Sequence, residues 1–412
     1  MTTDHNVFQQ VFSLSFASNL VGDCTGTGGK LEEELAEKLP AALQKAGPGW
    51  EVAWGPTIWK LHDWWPFSRQ DNAWYVAKND ALQFEDGVTR PTYVIAIAGS
   101  SGIYDYITED CDIAQVISVD DWVASGIQNR PKSMPNLKGH VPDNQALLSN
   151  GFGQAVYRLL SAGPHSGTKG HGHNLPDFLK SIAAPSSGPA PRLIITGHSL
   201  GGALAPSLAY TLLKSNSLGP FSQDDVLVYP TAGPSPGNLT FANRFGDSFP
   251  PRGESASADD TLSGYQHWNS NIVNKLDVVP CAFCTDSSYR ETLFNLLTLL
   301  GDPGVVVKLV VGDLIRKAGG LFYPIKSSLF ESPCPLPSKF KWGNEVHTQH
   351  ITSYTLEILN EDPPPNMAKV SKRYQMSGYP ILNSVVAAQG AVEHANQALA
   401  RIEGAKLLEE DF

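Results

Sequence analysis

Residues 191–209 read Pro191-Arg192-Leu193-Ile194-Ile195-Thr196-Gly197-His198-Ser199-Leu200-Gly201-Gly202-Ala203-Leu204-Ala205-Pro206-Ser207-Leu208-Ala209. A short apolar run with β-branched residues meets Gly-His-Ser-Leu-Gly, and small apolar residues at helical spacing follow. The pattern predicts a strand, a sharp turn and a helix, with Ser199 at the tip. Glycines on both sides of the serine suit such a turn. Strand and helix approach closely there, and the tip residue is held in a strained backbone conformation. The turn lifts the Ser199 hydroxyl out of the sheet and aims the Leu200 N–H at a carbonyl under attack. A plain glycine turn can carry the same five residues by chance. The strand before and the helix after favour a nucleophile.

With 412 residues, one large domain or two ordinary ones fit the length, and an apolar fraction of 42% supplies a core. The net charge of −11 disfavours a nucleic-acid partner, which calls for a basic face. No internal repeat is visible. The first twenty residues lack a basic start and an unbroken apolar stretch, so no secretory signal is expected; that favours the cytoplasm, or export if the sequence is a mature form. Leu293–Ile315 is the most apolar stretch, but Asp302, Pro303, Lys308 and Asp313 break it, and it falls short of a membrane span. Five cysteines, an odd count, do not make a disulfide framework. Cys281 and Cys284 form a C-x-x-C with no second pair to complete a zinc site, so buried thiols or one local disulfide are expected.

Before the turn, Leu31–Gln44 has helical spacing. The tryptophans within Trp50–Phe67 are expected to pack against a sheet rather than form an exposed carbohydrate- or lipid-binding strip. Ala73–Ala77 and Ala81–Phe84 read as two strands of a hairpin joined by Lys78-Asn79-Asp80. Thr92–Ala98 reads as a buried parallel strand that ends in Gly99-Ser100-Ser101-Gly102, small residues at the edge where a parallel sheet binds its ligand. Ile103–Asn150 is polar and proline-broken, a candidate lid over such a site. Gly151-Phe152 opens a helix with Val156, Leu159 and Leu160 inward. Gly170-His171-Gly172-His173 lies in a glycine-rich loop without nearby acids or thiols and reads as polar loop, not a metal site. After the turn, Val226–Tyr229 and Tyr265–Asn274 read as strands. The apolar blocks Leu293–Leu300 and Val305–Val311 read mostly as packed helices, with a lipid-facing cap as the alternative. Ser384–Leu408 reads as a terminal helix.

A serine hydroxyl needs a base within hydrogen-bond reach, and the base needs an orienting carboxylate. In a strand–turn–helix architecture they follow in the order serine, acid, histidine. Asp277 ends an apolar strand ahead of Val278-Val279-Pro280, whereas Asp286 and Asp313 have no strand ending at them. Three histidines follow Asp277. His394 falls within the terminal helix, while His347 and His350 sit on a loop before a helix, where a base belongs.

Gly197-His198-Ser199-Leu200-Gly201-Gly202-Ala203-Leu204-Ala205 resembles the class 3, or fungal-type triacylglycerol, lipases. Further anchors follow in the same order as in that family. Gly99-Ser100-Ser101 with Ile103 and Tyr106 is similar to its oxyanion loop, and Gly151-Phe152 to the start of the helix before the turn. Gly233-Pro234 with Pro236-Gly237-Asn238 and Phe241-Ala242, Val273-Asn274 with Asp277-Val278-Val279-Pro280, and His350 with Tyr354 resemble its later blocks. The anchors cover about residues 74–360. Ala98 stands where the family has arginine, Tyr106 where it has tryptophan, and the histidine before Gly-Phe is missing, His140 being the nearest. These departures bear on lid geometry and substrate preference.

The resemblance implies an α/β-hydrolase fold, with a mostly parallel sheet flanked by helices in one domain over 1–412. Within it fall a lead-in segment at 1–72, a candidate lid at 103–150, a candidate cap insertion at 285–340 and a C-terminal extension at 361–412. It implies ester hydrolysis by Ser199, Asp277 and His350, the His-to-Tyr spacing favouring His350 over His347, with Ser100 and Leu200 in the oxyanion hole. No cofactor or metal is implied. The implied partner is a lipid or other ester, presented at a lipid–water interface. Triacylglycerol lipase, phospholipase A1, feruloyl-type esterase and diacylglycerol lipase share these residues. A lipase-like binding protein without activity is the alternative of another class; such proteins usually damage the triad, and all its parts are present here.

Overall fold

The computed structural model describes residues 5–61, 69–100, 112–136, 144–183, 188–253, 262–364 and 367. Eight strands form the central sheet: β1 Glu51–Trp59, β2 Asn72–Gln83, β3 Thr89–Ile97, β4 Arg192–His198, β5 Val226–Thr231, β6 Leu262–Ser263, β7 Asn271–Asn274 and β8 Ser327–Phe330. Their order is β1-β2-β3-β4-β5-β7-β8-β6. β1, β2 and β3 pair antiparallel, and every pairing from β3 onward is parallel.

Side chains alternate between the two faces of a strand, so a strand buried on both faces feeds two cores. Ile95 and Ile97 of β3, Leu193 and Ile195 of β4, and Val226 and Val228 of β5 enter one core. Val94 and Ala96, Ile194, and Leu227 and Tyr229 enter the other. The first core is covered by α3 (Asn150–Ser161) and α4 (Leu200–Lys214). The second is covered by α1 (Val7–Ala17) and α2 (Gly28–Ala46), through Phe8, Val11 and Phe12 of α1 and Leu31, Leu35 and Leu39 of α2. This is a sheet with helices on both faces, the α/β-hydrolase arrangement.

Several elements differ from the sequence reading. The expected hairpin at 73–84 is one strand, β2, with a register irregularity between Asn79 and Leu82. The polar Lys78-Asn79-Asp80 makes a bulge rather than a turn, and the Asn79 carboxamide oxygen takes the Ala81 N–H at 2.9 Å. The chain reverses instead at Phe84–Val88. Trp54 lies within edge strand β1, buried in the first core, and Trp50 is buried in the second. Tyr265–Asn274 is broken. His267–Trp268 pairs with Arg252–Gly253, and Asn269, at a φ of 62°, turns the chain into β7. A short helix, Leu175–Ser181, capped by Asn174, follows the glycine-rich stretch Gly170-His171-Gly172-His173.

Within the candidate lid, Gln115–Ser118, Met134–Pro135 and Leu147–Ser149 are strands of a second, five-stranded sheet. Residues 101–111 and 137–143, with Tyr106 and His140, lie outside the described residues. Inside the candidate cap, Ser327–Phe330 is β8 of the central sheet. Helix Val305–Ala318 buries Val307, Val311 and Leu314 in the first core, while Val305 at its start is 69% exposed. The terminal helix read at 384–408, with His394, also lies outside the described residues. Among the described residues no helix is long and apolar enough to cross a membrane.

Candidate active site

β4 ends at His198, and α4 begins at Leu200. Between them Ser199 has φ 61° and ψ −120°, a backbone conformation that costs energy for any side-chain-bearing residue. The surroundings impose it. The Ser199 N–H donates to the Thr231 carbonyl of β5 at 3.0 Å, and the Ser199 carbonyl takes the Ala203 N–H at 3.3 Å.

Gly201 shows how tightly the turn is packed. A Cβ there would stand 2.3 Å from the Ile97 carbonyl oxygen of β3 and 3.1 Å from that of Ala98. Both are backbone atoms that cannot yield without moving a central strand. Gly201→Ala is expected to destabilise the protein by about 1–3 kcal/mol, read as a lower urea midpoint at unchanged m-value. Gly99 brings the other loop in. A Cβ on it would lie 3.3 Å from the Ser199 Cβ and 3.0 Å from the His198 carbonyl oxygen. The Gly99-Ser100 turn therefore lies against the serine turn, with Ser100 half-buried. The Leu200 N–H belongs to the first turn of α4, where the leading amides have no partner within the helix.

Asp277 follows β7 and is fully buried. One carboxylate oxygen accepts the Val279 N–H at 2.9 Å, so it does initiate a turn. The other accepts from His350 Nδ1 at 2.8 Å and from the Tyr354 hydroxyl at 3.0 Å. His350 is also fully buried. Donation from Nδ1 to a carboxylate leaves Nε2 as the bare nitrogen of a neutral imidazole, the form that takes up a proton. His350 Nε2 is buried without a hydrogen-bond partner among the described residues, Ser199 included. Contacts of this kind commonly tighten only when substrate is bound.

The other titratable groups raised by the sequence are engaged elsewhere. His347 Nε2 meets the Met367 carbonyl at 2.8 Å, and burial lowers its pKa. Asp286 accepts from the Ser288 backbone N–H and hydroxyl, and Asp313 pairs with Arg316 and Lys317. Cys281 and Cys284 are buried free thiols; burial raises the pKa of both, that of Cys284 to about 11. Gly170 and His173 pack on Trp54, whose indole N–H donates to the His173 carbonyl at 3.1 Å.

Sequence reasoning placed His350 on a loop. It sits instead in a π-helical turn, Thr348–Thr352, between helical segments Trp342–His347 and Ser353–Leu359. Single π turns inside helices are frequent at functional sites. Buried Gln349 holds this one. Its carboxamide oxygen accepts from Asn274 at 2.9 Å and Ser332 at 2.6 Å, and its nitrogen donates to Glu345 at 2.7 Å. Gln349 was not singled out by the sequence, and Asn274 only as part of the Val273-Asn274 anchor, because a buried amide network has no local pattern. Tyr354 had a signal, its spacing from His350, but its role emerges only in the fold. Its hydroxyl accepts the Asn274 N–H at 3.0 Å while donating to Asp277. Tyr354→Phe is expected to cost about 1–3 kcal/mol in urea denaturation, because it leaves that buried N–H unpaired.

The family model for Lipase (class 3) matches residues 94–286. Among curated proteins none matches. Among solved structures, a crystal structure of M37 lipase is similar at a TM-score of 0.65 and 20% identity, covering 95% of this chain and 100% of that one. Lipase II from Rhizopus niveus aligns at a TM-score of 0.37 and 16% identity over 66% of this chain and 72% of that one. The lipase from Rhizopus microsporus var. chinensis aligns at 0.35 and 15% over 66% and 67%. At such identities the M37 likeness speaks for the fold, and the lower scores carry no argument. The match to the class 3 lipase family over residues 94–286, with the sheet and its flanking helices, makes this chain a carboxylic ester hydrolase built on the α/β-hydrolase fold.

Proposed function

We propose that the protein hydrolyses lipid esters, as a triacylglycerol lipase does, with Ser199 as nucleophile, His350 as base and Asp277 as the orienting acid. The observation that carries this reading is the buried Asp277–His350 pair, its Nε2 unpartnered, behind a serine on a strained strand-to-helix turn. His350 Nε2 takes the hydroxyl proton as Ser199 Oγ attacks the ester carbonyl. The carbonyl π electrons move onto oxygen, and the Leu200 N–H with the Ser100 hydroxyl and N–H receive the oxyanion. When the intermediate collapses, the C–O bond to the alcohol breaks, and His350 delivers the proton to the leaving oxygen. Water then attacks the acyl-enzyme by the same path, releasing the acid and restoring Ser199. Asp277 stays ionised and steadies the imidazolium.

The test is the initial rate across an acyl-length series of p-nitrophenyl esters, with Ser199→Ala as the blank. Serine-dependent turnover that rises toward long chains supports a lipase. A peak at short chains makes the protein an esterase. No turnover above the blank from folded protein, with and without detergent, leaves a lipase-like binding protein.

A further inference from the structure

We propose that His198 is a positioning residue for His350, holding the base by its backbone carbonyl and tying it to the N-terminal helix α1. The proposal rests on the triad reading above. His198 is the last residue of β4 and is almost wholly buried. Its ring makes two polar contacts, Nε2 to the His350 carbonyl at 2.8 Å and Nδ1 to the Thr231 hydroxyl at 2.9 Å. A carbonyl only accepts, so Nε2 carries the proton and Nδ1 accepts from Thr231. Burial, reinforced by the nearby His350, lowers the His198 pKa well below its usual value. The ring is thereby kept neutral, with Nε2–H on the His350 carbonyl and Nδ1 left to accept from Thr231.

The geometry couples nucleophile and base through a single peptide unit. Residue 199 carries the hydroxyl, and residue 198 grips the backbone of the residue that must take its proton. The gripped carbonyl lies in the π turn Thr348–Thr352, where the Ser353 N–H reaches back five residues to Thr348 and the regular register is lost. A fixed external donor at such a turn pins which way its side chain points. The His198 ring is itself boxed in. Its centroid is 5.1 Å from Phe16 and 6.3 Å from Phe12, both on α1, and 5.0 Å from Tyr354. Helix α1 lies outside the stretch matched by the family model. The N-terminal segment is thus part of what holds the base in place.

The test compares His198→Phe, His198→Gln and Thr231→Val with the wild type and with Ser199→Ala. It measures kcat and KM on a short soluble p-nitrophenyl ester and urea stability for each. Phenylalanine keeps a ring in the box but cannot donate. kcat is expected to fall roughly 10- to 100-fold with KM little changed, since misplacing a reacting group by about 1 Å costs on the order of 10²-fold. Glutamine, whose amide N–H can reach the same carbonyl, is expected to recover much of the rate at equal or lower stability. Thr231→Val, which removes the hydroxyl partner of Nδ1, is expected to fall between. Wild-type kcat in folded His198→Phe overturns the proposal, as does an equal loss in Phe and Gln that tracks stability. Should both His198 variants fail to fold, wild-type kcat in Thr231→Val overturns it and a reduced kcat at unchanged KM supports it. Ser199→Ala turning over like wild type removes the triad reading and this proposal with it. An inactive Ser199→Ala beside an unimpaired His198→Phe removes this proposal alone.

Discussion

Ser199→Ala is expected to lower kcat for ester hydrolysis by about 10⁴- to 10⁶-fold, the range seen when the nucleophile of a serine triad is removed. The size follows from how the machinery divides the work. Without Oγ there is no acyl-enzyme, and His350 has nothing to deprotonate, so serine and base are lost as one unit. What remains is the proposed oxyanion pocket of Leu200 and Ser100, acting on water. The fold is expected to survive. The Ser199 backbone bonds to Thr231 and Ala203 do not involve the side chain, and alanine adopts the same conformation at no greater cost than serine. Single-turnover rates with a chromogenic ester, alongside far-ultraviolet circular dichroism, check both halves. A native spectrum with near-wild-type turnover would take the nucleophile's role from Ser199.

Asp277→Asn is the second large effect, with kcat expected to fall about 10⁴-fold although the side chain keeps its shape. The carboxylate serves three donors, the Val279 N–H on one oxygen and His350 Nδ1–H with the Tyr354 hydroxyl on the other. An asparagine has only one acceptor oxygen. If that oxygen faces Val279, its NH₂ faces His350 and forces the ring into the tautomer with the proton on Nε2, which is then no base. If it faces His350, the NH₂ meets the Val279 N–H and the turn after β7 is disturbed. Either arrangement leaves a buried donor without an acceptor, so about 1–3 kcal/mol of stability is expected to be lost as well. The kinetic loss should far exceed what the stability loss explains. The comparison is kcat under conditions where urea titration shows the variant fully folded. A rate within tenfold of wild type would remove Asp277 from the triad and turn attention to its structural bonds alone.

Much of this site was legible in the chain, for a physical reason. A strand-to-helix turn that projects a serine demands small residues at fixed offsets, so Gly197, Ser199 and Gly201 announce it locally. Strands buried on both faces must be near-continuously apolar, so β3, β4 and β5 announce themselves too. The order serine, acid, histidine then narrowed the partners to Asp277 with His347 or His350, and the spacing to Tyr354 favoured the latter. Where local pattern misled, the competing force was tertiary. The polar triplet Lys78-Asn79-Asp80 reads as a turn, yet pairing with β3 carries the strand straight through it as a bulge. Tyr265–Asn274 reads as one strand, but Asn269 bonds both the Val228 N–H and its carbonyl and breaks it.

The sequence by itself determined the strands and helices around the serine turn and pointed to the groups proposed to carry the chemistry, because burial and backbone geometry restrict residue type at each position. The tertiary structure decided which histidine meets Asp277, because His347, at the end of one helix, and His350, in the π turn that follows it, stand three residues apart and differ in what faces them. It also decided that Tyr354, Gln349 and His198 brace that meeting. Their partners lie between 33 and 152 residues away in the chain for the His198 contacts, and about 75 to 80 away for the bonds of Tyr354 and Gln349 to Asn274 and Asp277. Hydrogen bonds at such separations leave no periodic trace, since they exist only once the sheet has brought the ends of β4, β5 and β7 to a single edge.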